Sequence, residues 1–179
     1  EFRRVLFRSL GTGSGAIGLS LALELPLDAT TVWLTDNSLD ALDVARANAA
    51  GIGRAGANVR IAHGDWFDAL PGELRGNIDV LVSNPPYIAV GDSEVDATVV
   101  AHEPHAALYS GADGLDALRT VIRGAAEWLR TGGVLVVEIG HRQGDAVRAL
   151  CVEAGLQQVE VRRDYAGRDR IVVARSYAD

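Results

Sequence analysis

The sequence predicts an α/β domain: a mostly parallel, doubly wound sheet with helices on both faces and one antiparallel strand at its end. Three observations carry this. Short apolar runs alternate with helical patterns through most of the 179 residues. A glycine-rich turn, Gly11 to Gly18, follows the first run directly. The last two runs, Val159–Val161 and Ile171–Ala174, are joined through Asp164-Tyr165-Ala166-Gly167-Arg168-Asp169, a connection short enough for a hairpin. A hydrophobic content of 48% over this length suits one domain with a sizeable core.

Composition narrows the function. The net charge is −7, and all 17 basic residues are arginine. An acidic chain is a poor match for a phosphate backbone, so direct nucleic-acid binding is not expected. No apolar run approaches the roughly 20 residues of a membrane span. The single Cys151 cannot form an internal disulfide, which fits a reducing cytoplasm. It lies in the helical pattern Val147, Leu150, Cys151, the setting of a small core residue rather than a nucleophile. Residues 1–9, Glu1 to Ser9, look like the translation of a common sequencing-adapter oligonucleotide and stand apart from the domain at 10–179.

In chain order, residues 5–10 are the first strand. The glycine turn then enters a helix from Ile17 to Glu24, stopped near Pro26. Alternating glycines allow positive φ and close approach of a ligand, and amides at the helix start favour polar or anionic groups. Gly13-x-Gly15-x-x-Gly18 fits a dinucleotide fingerprint. Gly11-x-Gly13-x-Gly15 fits the first motif of S-adenosylmethionine-dependent methyltransferases equally well. Thr31–Thr35 is the second strand, with Asp36 at its carboxyl end, where an acidic side chain can accept from a ribose diol. Ser38 caps a helix from Leu39 to about Ala50, ended by Gly51. Val59–Ala62 is the third strand. Behind it, Asp65 can accept from an adenine amino group and Trp66 can pack on a purine face.

Ile78–Val82 is the fourth strand, and it delivers Ser83-Asn84-Pro85-Pro86-Tyr87-Ile88. Two prolines force the chain out of the sheet and hold Asn84 extended, at the edge where open α/β sheets bind ligands. An amide, two rigid rings and an aromatic ring there can clamp a flat, amide-like group. Ala89 to Ala112 is a long connection. Its His102-Glu103-Pro104-His105 lacks the spacing of a zinc-binding helix, and no metal site is expected. Asp113–Arg130 is an amphipathic helix ended by Gly132-Gly133; Val134–Ile139 is the fifth strand; Gln143–Ala154 is a further helix ended by Gly155.

The residues resemble a known family. Leu10-Gly11-Thr12-Gly13-Ser14-Gly15-Ala16-Ile17-Gly18, Gly64-Asp65-Trp66, Ser83 to Ile88, and Glu103-Pro104-x-x-Ala107-Leu108-x-x-Gly111-x-Asp113-Gly114-Leu115 are similar to the release factor glutamine methyltransferases of the HemK/PrmC type. The likeness runs on through Glu138-Ile139-Gly140-x-x-Gln143-Gly144 to Asp164-Tyr165 and Asp169-Arg170. Asn-Pro-Pro-Tyr alone also occurs in methyltransferases acting on nucleic-acid bases and ribosomal proteins, which remain the alternative.

The resemblance implies a class I methyltransferase fold with a seven-stranded sheet and an antiparallel last strand. It implies methyl transfer from S-adenosyl-L-methionine to the side-chain amide nitrogen of the glutamine in the Gly-Gly-Gln motif of peptide chain release factors. By position, Gly11, Thr12, Gly13 and Gly15 contact the methionine part of the cofactor, Asp36 the ribose, and Asp65 with Trp66 the adenine. Asn84 and Pro85 hold the target amide, with Tyr87 beside it, and Asn84 also borders the cofactor. Two departures stand out. Ser9 replaces the acidic residue usual before Leu10, and Arg8 replaces an apolar one. The helical domain that precedes the catalytic domain in the family is expected to be missing, with weak cofactor binding as the consequence of Arg8 and Ser9.

Overall fold

The computed structural model describes residues 5–92 and 104–177. The described strands form one seven-stranded sheet: β1 (Val5–Leu10), β2 (Thr30–Asp36), β3 (Val59–His63), β4 (Ile78–Ser83), β5 (Leu129–Glu138), β6 (Gln157–Arg163) and β7 (Asp169–Arg175). Their order is β3-β2-β1-β4-β5-β7-β6. β7 runs antiparallel to both neighbours, and the pairings among β1 to β5 are parallel. The helices are α1 (Ala16–Glu24), α2 (Leu39–Gly51), the one-turn α3 (His105–Leu108), α4 (Asp116–Trp128) and α5 (Gly144–Glu153).

The core divides into two clusters. One gathers α4, α5 and the β4-β5-β7 part of the sheet, with Leu81, Leu118, Ile122, Leu135 and Val172 almost wholly buried. The other packs α1 against Phe7, Val32 and Leu34. Gly18 sets the closeness of that second contact. A Cβ there would stand 2.1 Å from a Leu34 methyl, so a side chain at this position would force Leu34 or α1 to shift. Cys151 is buried in the first cluster. Among the described residues, no helix is long and apolar enough to cross a membrane.

Four boundaries differ from the sequence expectation. α2 runs through Gly51, and the chain turns at Gly53 (φ 61°) into a 3-10 helix, Gly53–Asn58. The helix expected from Asp113 starts at Asp116, because Gly114 takes φ 75° and the Asp113 side chain accepts from the Leu115 amide. Ser110 Oγ accepts from the Ala117 amide at 2.8 Å, fixing the helix start from outside it. The same helix ends at Trp128 rather than Arg130. Leu129 is already extended and pairs with Ile78, so Gly132 and Gly133 lie inside β5. The Ala89–Ala112 connection contains α3, with Pro104 at its amino-terminal boundary. His102 and Glu103 fall outside the described residues.

Arg8 does not escape to solvent. It is wholly buried within β1, facing Trp33 of β2.

Candidate active site

The strand order reverses direction between β1 and β4, and ligands in open α/β sheets bind beyond the carboxyl ends of the strands at such a point. Here the ends of β1 and β4 are tied by Ser83 Oγ, which donates to the Leu10 carbonyl at 2.9 Å. The glycine turn leaves β1, and Asn84-Pro85-Pro86-Tyr87 leaves β4. Between them opens a cleft of about 770 Å³, within the size range of small-molecule sites.

The glycine turn is held by its neighbours. The Gly13 amide donates to Asp36 Oδ2 at 2.8 Å, and the Thr12 amide to the Thr35 carbonyl at 2.9 Å. Asn48 Nδ2 of α2 donates to the Ser14 carbonyl at 2.9 Å. Asp36 Oδ1 accepts from the Ser38 amide at 2.9 Å, so one carboxylate straps the turn to the start of α2. Each oxygen of a carboxylate has a further lone pair for a ligand hydroxyl. Gly11, Gly13 and Gly15 all take positive φ. A Cβ on Gly13 would stand in open space, and one on Gly11 would touch the Trp66 ring at 3.6 Å. At Gly11 and Gly13 the turn therefore offers bare backbone, between Thr12 and Ser14, which also line the cleft.

Nine of the ten residues singled out in the sequence line this cleft: Gly11, Thr12, Gly13, Asp36, Asp65, Trp66, Asn84, Pro85 and Tyr87. Gly15 does not. It is the residue before α1, and a Cβ on it would press on Leu19 and Leu34. Its work is packing and turn geometry. Trp66 has φ 44°, an uncommon conformation for a bulky residue. It lies across Gly11, where a flat ring can meet a flat ligand.

On the β4 side, Asn84 is exposed and Pro85 buried. The Tyr87 hydroxyl is engaged: it donates to Glu138 Oε1 at 3.2 Å and accepts from Arg170 Nη1 at 3.3 Å. Burial, followed by the Glu138 charge, pushes the Tyr87 hydroxyl above its usual range. It is therefore a neutral phenol at neutral pH and no proton acceptor. Arg170 also reaches Asp164 of the β6–β7 hairpin at 3.7 Å. Glu138 and Arg170 belong to the motifs that carry the resemblance, but their types and spacing gave no sign of a shared partner. Asn48 had no sequence signal beyond its place in a helix.

The comparisons agree with this geometry. The model of the methyltransferase small domain family matches residues 3–111. The chain belongs to that family. It is 49% identical over 166 residues to the release factor glutamine methyltransferase of Xylella fastidiosa, covering 93% of this chain and 58% of that protein. It is 45% identical to the protein of the same name from Neisseria gonorrhoeae, over 93% of this chain and 59% of that one. The chain thus spans a little under three fifths of the length of these relatives. Among solved structures, a predicted O-methyltransferase of Agrobacterium tumefaciens superposes with a TM-score of 0.68 at 18% identity, over 99% of this chain and 76% of that one. That likeness is one of fold.

S-adenosyl-L-methionine is the methyl donor of such a domain, and the cleft fits it. Gly11 and Gly13 leave open space at the turn, Asp36 offers acceptors for a diol, and Trp66 offers an aromatic face.

Proposed function

We propose that this domain methylates the side-chain amide nitrogen of a protein glutamine, that of the Gly-Gly-Gln motif of peptide chain release factors. The observation that carries the reading is the exposed Asn84 beside Pro85 at the strand-order reversal, facing the glycine turn across one cleft. The names of the relatives supply the substrate class.

The bound cofactor supplies a sulfonium methyl, already activated for transfer. In this reading the chain's own residues present the nucleophile. An amide nitrogen is a poor nucleophile because its lone pair is delocalised. The Asn84 side-chain oxygen and the Pro85 carbonyl would accept the two amide N–H groups and turn the nitrogen toward the methyl; as N–C forms and S–C breaks, the thioether leaves and one N–H proton is lost to water. Fixed acceptors and dipoles act here through positioning and preorganisation. Tyr87 contributes its ring and anchors the motif, since its hydroxyl is held by Glu138 and Arg170. The loop Gly11–Gly13 and Asp36 hold the methionine and ribose parts, and Asp65 with Trp66 the adenine.

Incubation with a Gly-Gly-Gln peptide and S-adenosylmethionine, followed by mass spectrometry, tests the reading. The expected product carries one methyl in place of an amide hydrogen, a gain of CH2, placed on the glutamine by fragmentation. Methyl incorporation into a ribosomal protein or a nucleic acid, with none into the peptide, favours the alternative. The acidic charge of −7 speaks against the nucleic-acid form of it.

A further inference from the structure

Two segments far from it in sequence, at Gly114 and at Gly140–Gln143, converge on Tyr87. Gln143 Nε2 donates to the Tyr87 carbonyl at 2.9 Å and to the Gly114 carbonyl at 3.3 Å. Gln143 Oε1 accepts from the Gly140 amide at 2.8 Å. Both functional atoms of this amide are thus committed inside the protein, and the residue is only half-buried beside the motif. The fit around it is close. A Cβ on Gly114 would lie 2.4 Å from the Tyr87 carbonyl oxygen, and one on Gly140 would lie 3.0 Å from Gln143 Oε1 and 3.5 Å from the Tyr87 ring. Gly114 and Gly140 leave the space, and Gln143 fills it with hydrogen bonds.

We infer that Gln143 is a positioning residue for methyl transfer: it fixes the Asn84-Pro85 acceptors by holding the Tyr87 carbonyl at the far end of the proline pair. The inference rests on the function proposed above. Pro85 and Pro86 have no N–H to tie the segment down. The loop is anchored instead at Ser83, on the Leu10 carbonyl, and beyond the prolines at Tyr87 and Ile88. The rigid pair carries the set of Tyr87 back to Asn84. Displacement of a reacting group by about 1 Å can cost about 100-fold in rate.

Gln143→Glu keeps an oxygen for the Gly140 amide and replaces the donor with one facing two carbonyls. The expected result at pH 8 is a kcat on the Gly-Gly-Gln peptide lower by about 10- to 100-fold, with S-adenosylmethionine Kd within error of the parent and Tm only slightly lower. As the introduced carboxyl is protonated at falling pH it becomes a donor again, so the ratio of variant to parent kcat rises from pH 8 to pH 5.5. Dividing by the parent kcat at each pH removes what the polar and charged neighbours contribute, Tyr87, Glu138 and Arg170 beside the motif and Asp169 against Gly144. Hydrogen exchange over residues 87–90 supplies a readout that needs no substrate: it quickens in the variant while α4 and β5 are unchanged. An unchanged kcat, or a loss of kcat shared in proportion by Tm and cofactor affinity, overturns the inference. A parent inactive on the peptide overturns the substrate reading, and the exchange measurement then decides the tether alone.

Discussion

The Arg8 guanidinium lies 5.3 Å from the centre of the Trp33 ring, on adjacent strands in direct register. Nη1 donates to the Phe7 carbonyl at 2.7 Å, while Nε and Nη2 are buried without a hydrogen-bond partner. Contact with a ring face returns on the order of 1–2 kcal/mol. Buried unpaired donors cost about 1–3 kcal/mol each. The balance is unfavourable, and burial, against the pull of Asp79, lowers the Arg8 pKa to about 9.

Arg8→Leu is therefore expected to stabilise the domain by about 2 kcal/mol or more at pH 7, a rise in Tm of about 4–8 °C. The penalty belongs to the charged form. It is present in full below pH 9 and fades as pH rises from about 9 toward the usual arginine range. Calorimetry at pH 7 and pH 10.5 should find the gap between variant and parent narrower at the higher pH. A gap of constant size would mean that lost packing, not charge, sets the cost.

Ser9 lies at the end of the same strand, lines the cleft and accepts from the Thr12 hydroxyl at 3.2 Å. A carboxylate there would face the glycine turn from below and attract a cationic cofactor. The double variant Arg8→Val with Ser9→Asp is expected to bind S-adenosylmethionine about 10-fold more tightly, as one well-placed charge is worth on the order of 1.4 kcal/mol. Titration calorimetry reads it directly; equal affinities would sink the idea that these two residues weaken the site.

Asp36 gives a third expectation. Its two oxygens take one backbone amide each, from Gly13 and Ser38. Asn in its place must aim an NH2 at one of those amides, donor against donor. Asp36→Asn should weaken cofactor binding by about 10-fold or more, through a loosened turn and a lost acceptor. Tm should fall only slightly, because the residue is half-exposed. Kd by fluorescence quenching of Trp66 and its neighbours, with Tm alongside, separates the two effects.

Much of this site was legible in the chain because strand ends and turns carry local signals. Alternating glycines after Leu10, an acid after Thr35 and a proline pair after Asn84 each mark a position by backbone chemistry alone. Sheet order then brings them to one edge. What stayed illegible depends on distance in the chain. Gln143 reaches Tyr87 across 56 positions, and Arg170 reaches it across 83. Neither side chain differs in type or spacing from one on a solvated face. The ends of α4 escaped for a different reason. The apolar pattern continues through Leu129, but that residue serves a strand, and only the pairing with Ile78 decides between the two.

Cys151 is buried in the α4–α5 cluster, and burial pushes its thiol up to about 12. A thiolate is the reactive form, so the native protein at pH 8 should not react with a disulfide reagent over an hour. The thiol should appear only as the domain unfolds, with the same urea midpoint as the loss of tryptophan fluorescence. Rapid labelling of the native state would place the residue outside the core.

Asn84 separates presentation of the target from cofactor binding. Its side chain is exposed at the cleft, on a backbone fixed by Ser83 and the two prolines. Asn84→Ala removes one of two acceptors proposed for the target amide, without touching the strap from Asp36 to the glycine turn. Loss of one preorganised polar group at a reacting centre typically costs about 10²–10³ in kcat. The expected variant is folded, binds S-adenosylmethionine within about 3-fold of the parent, since that face of the cleft is intact, and methylates the peptide at least 100-fold more slowly. A kcat within a few-fold of the parent would move the amide acceptor elsewhere on the cleft wall. A collapse of cofactor affinity with kcat little changed at saturation would make Asn84 part of the cofactor site alone.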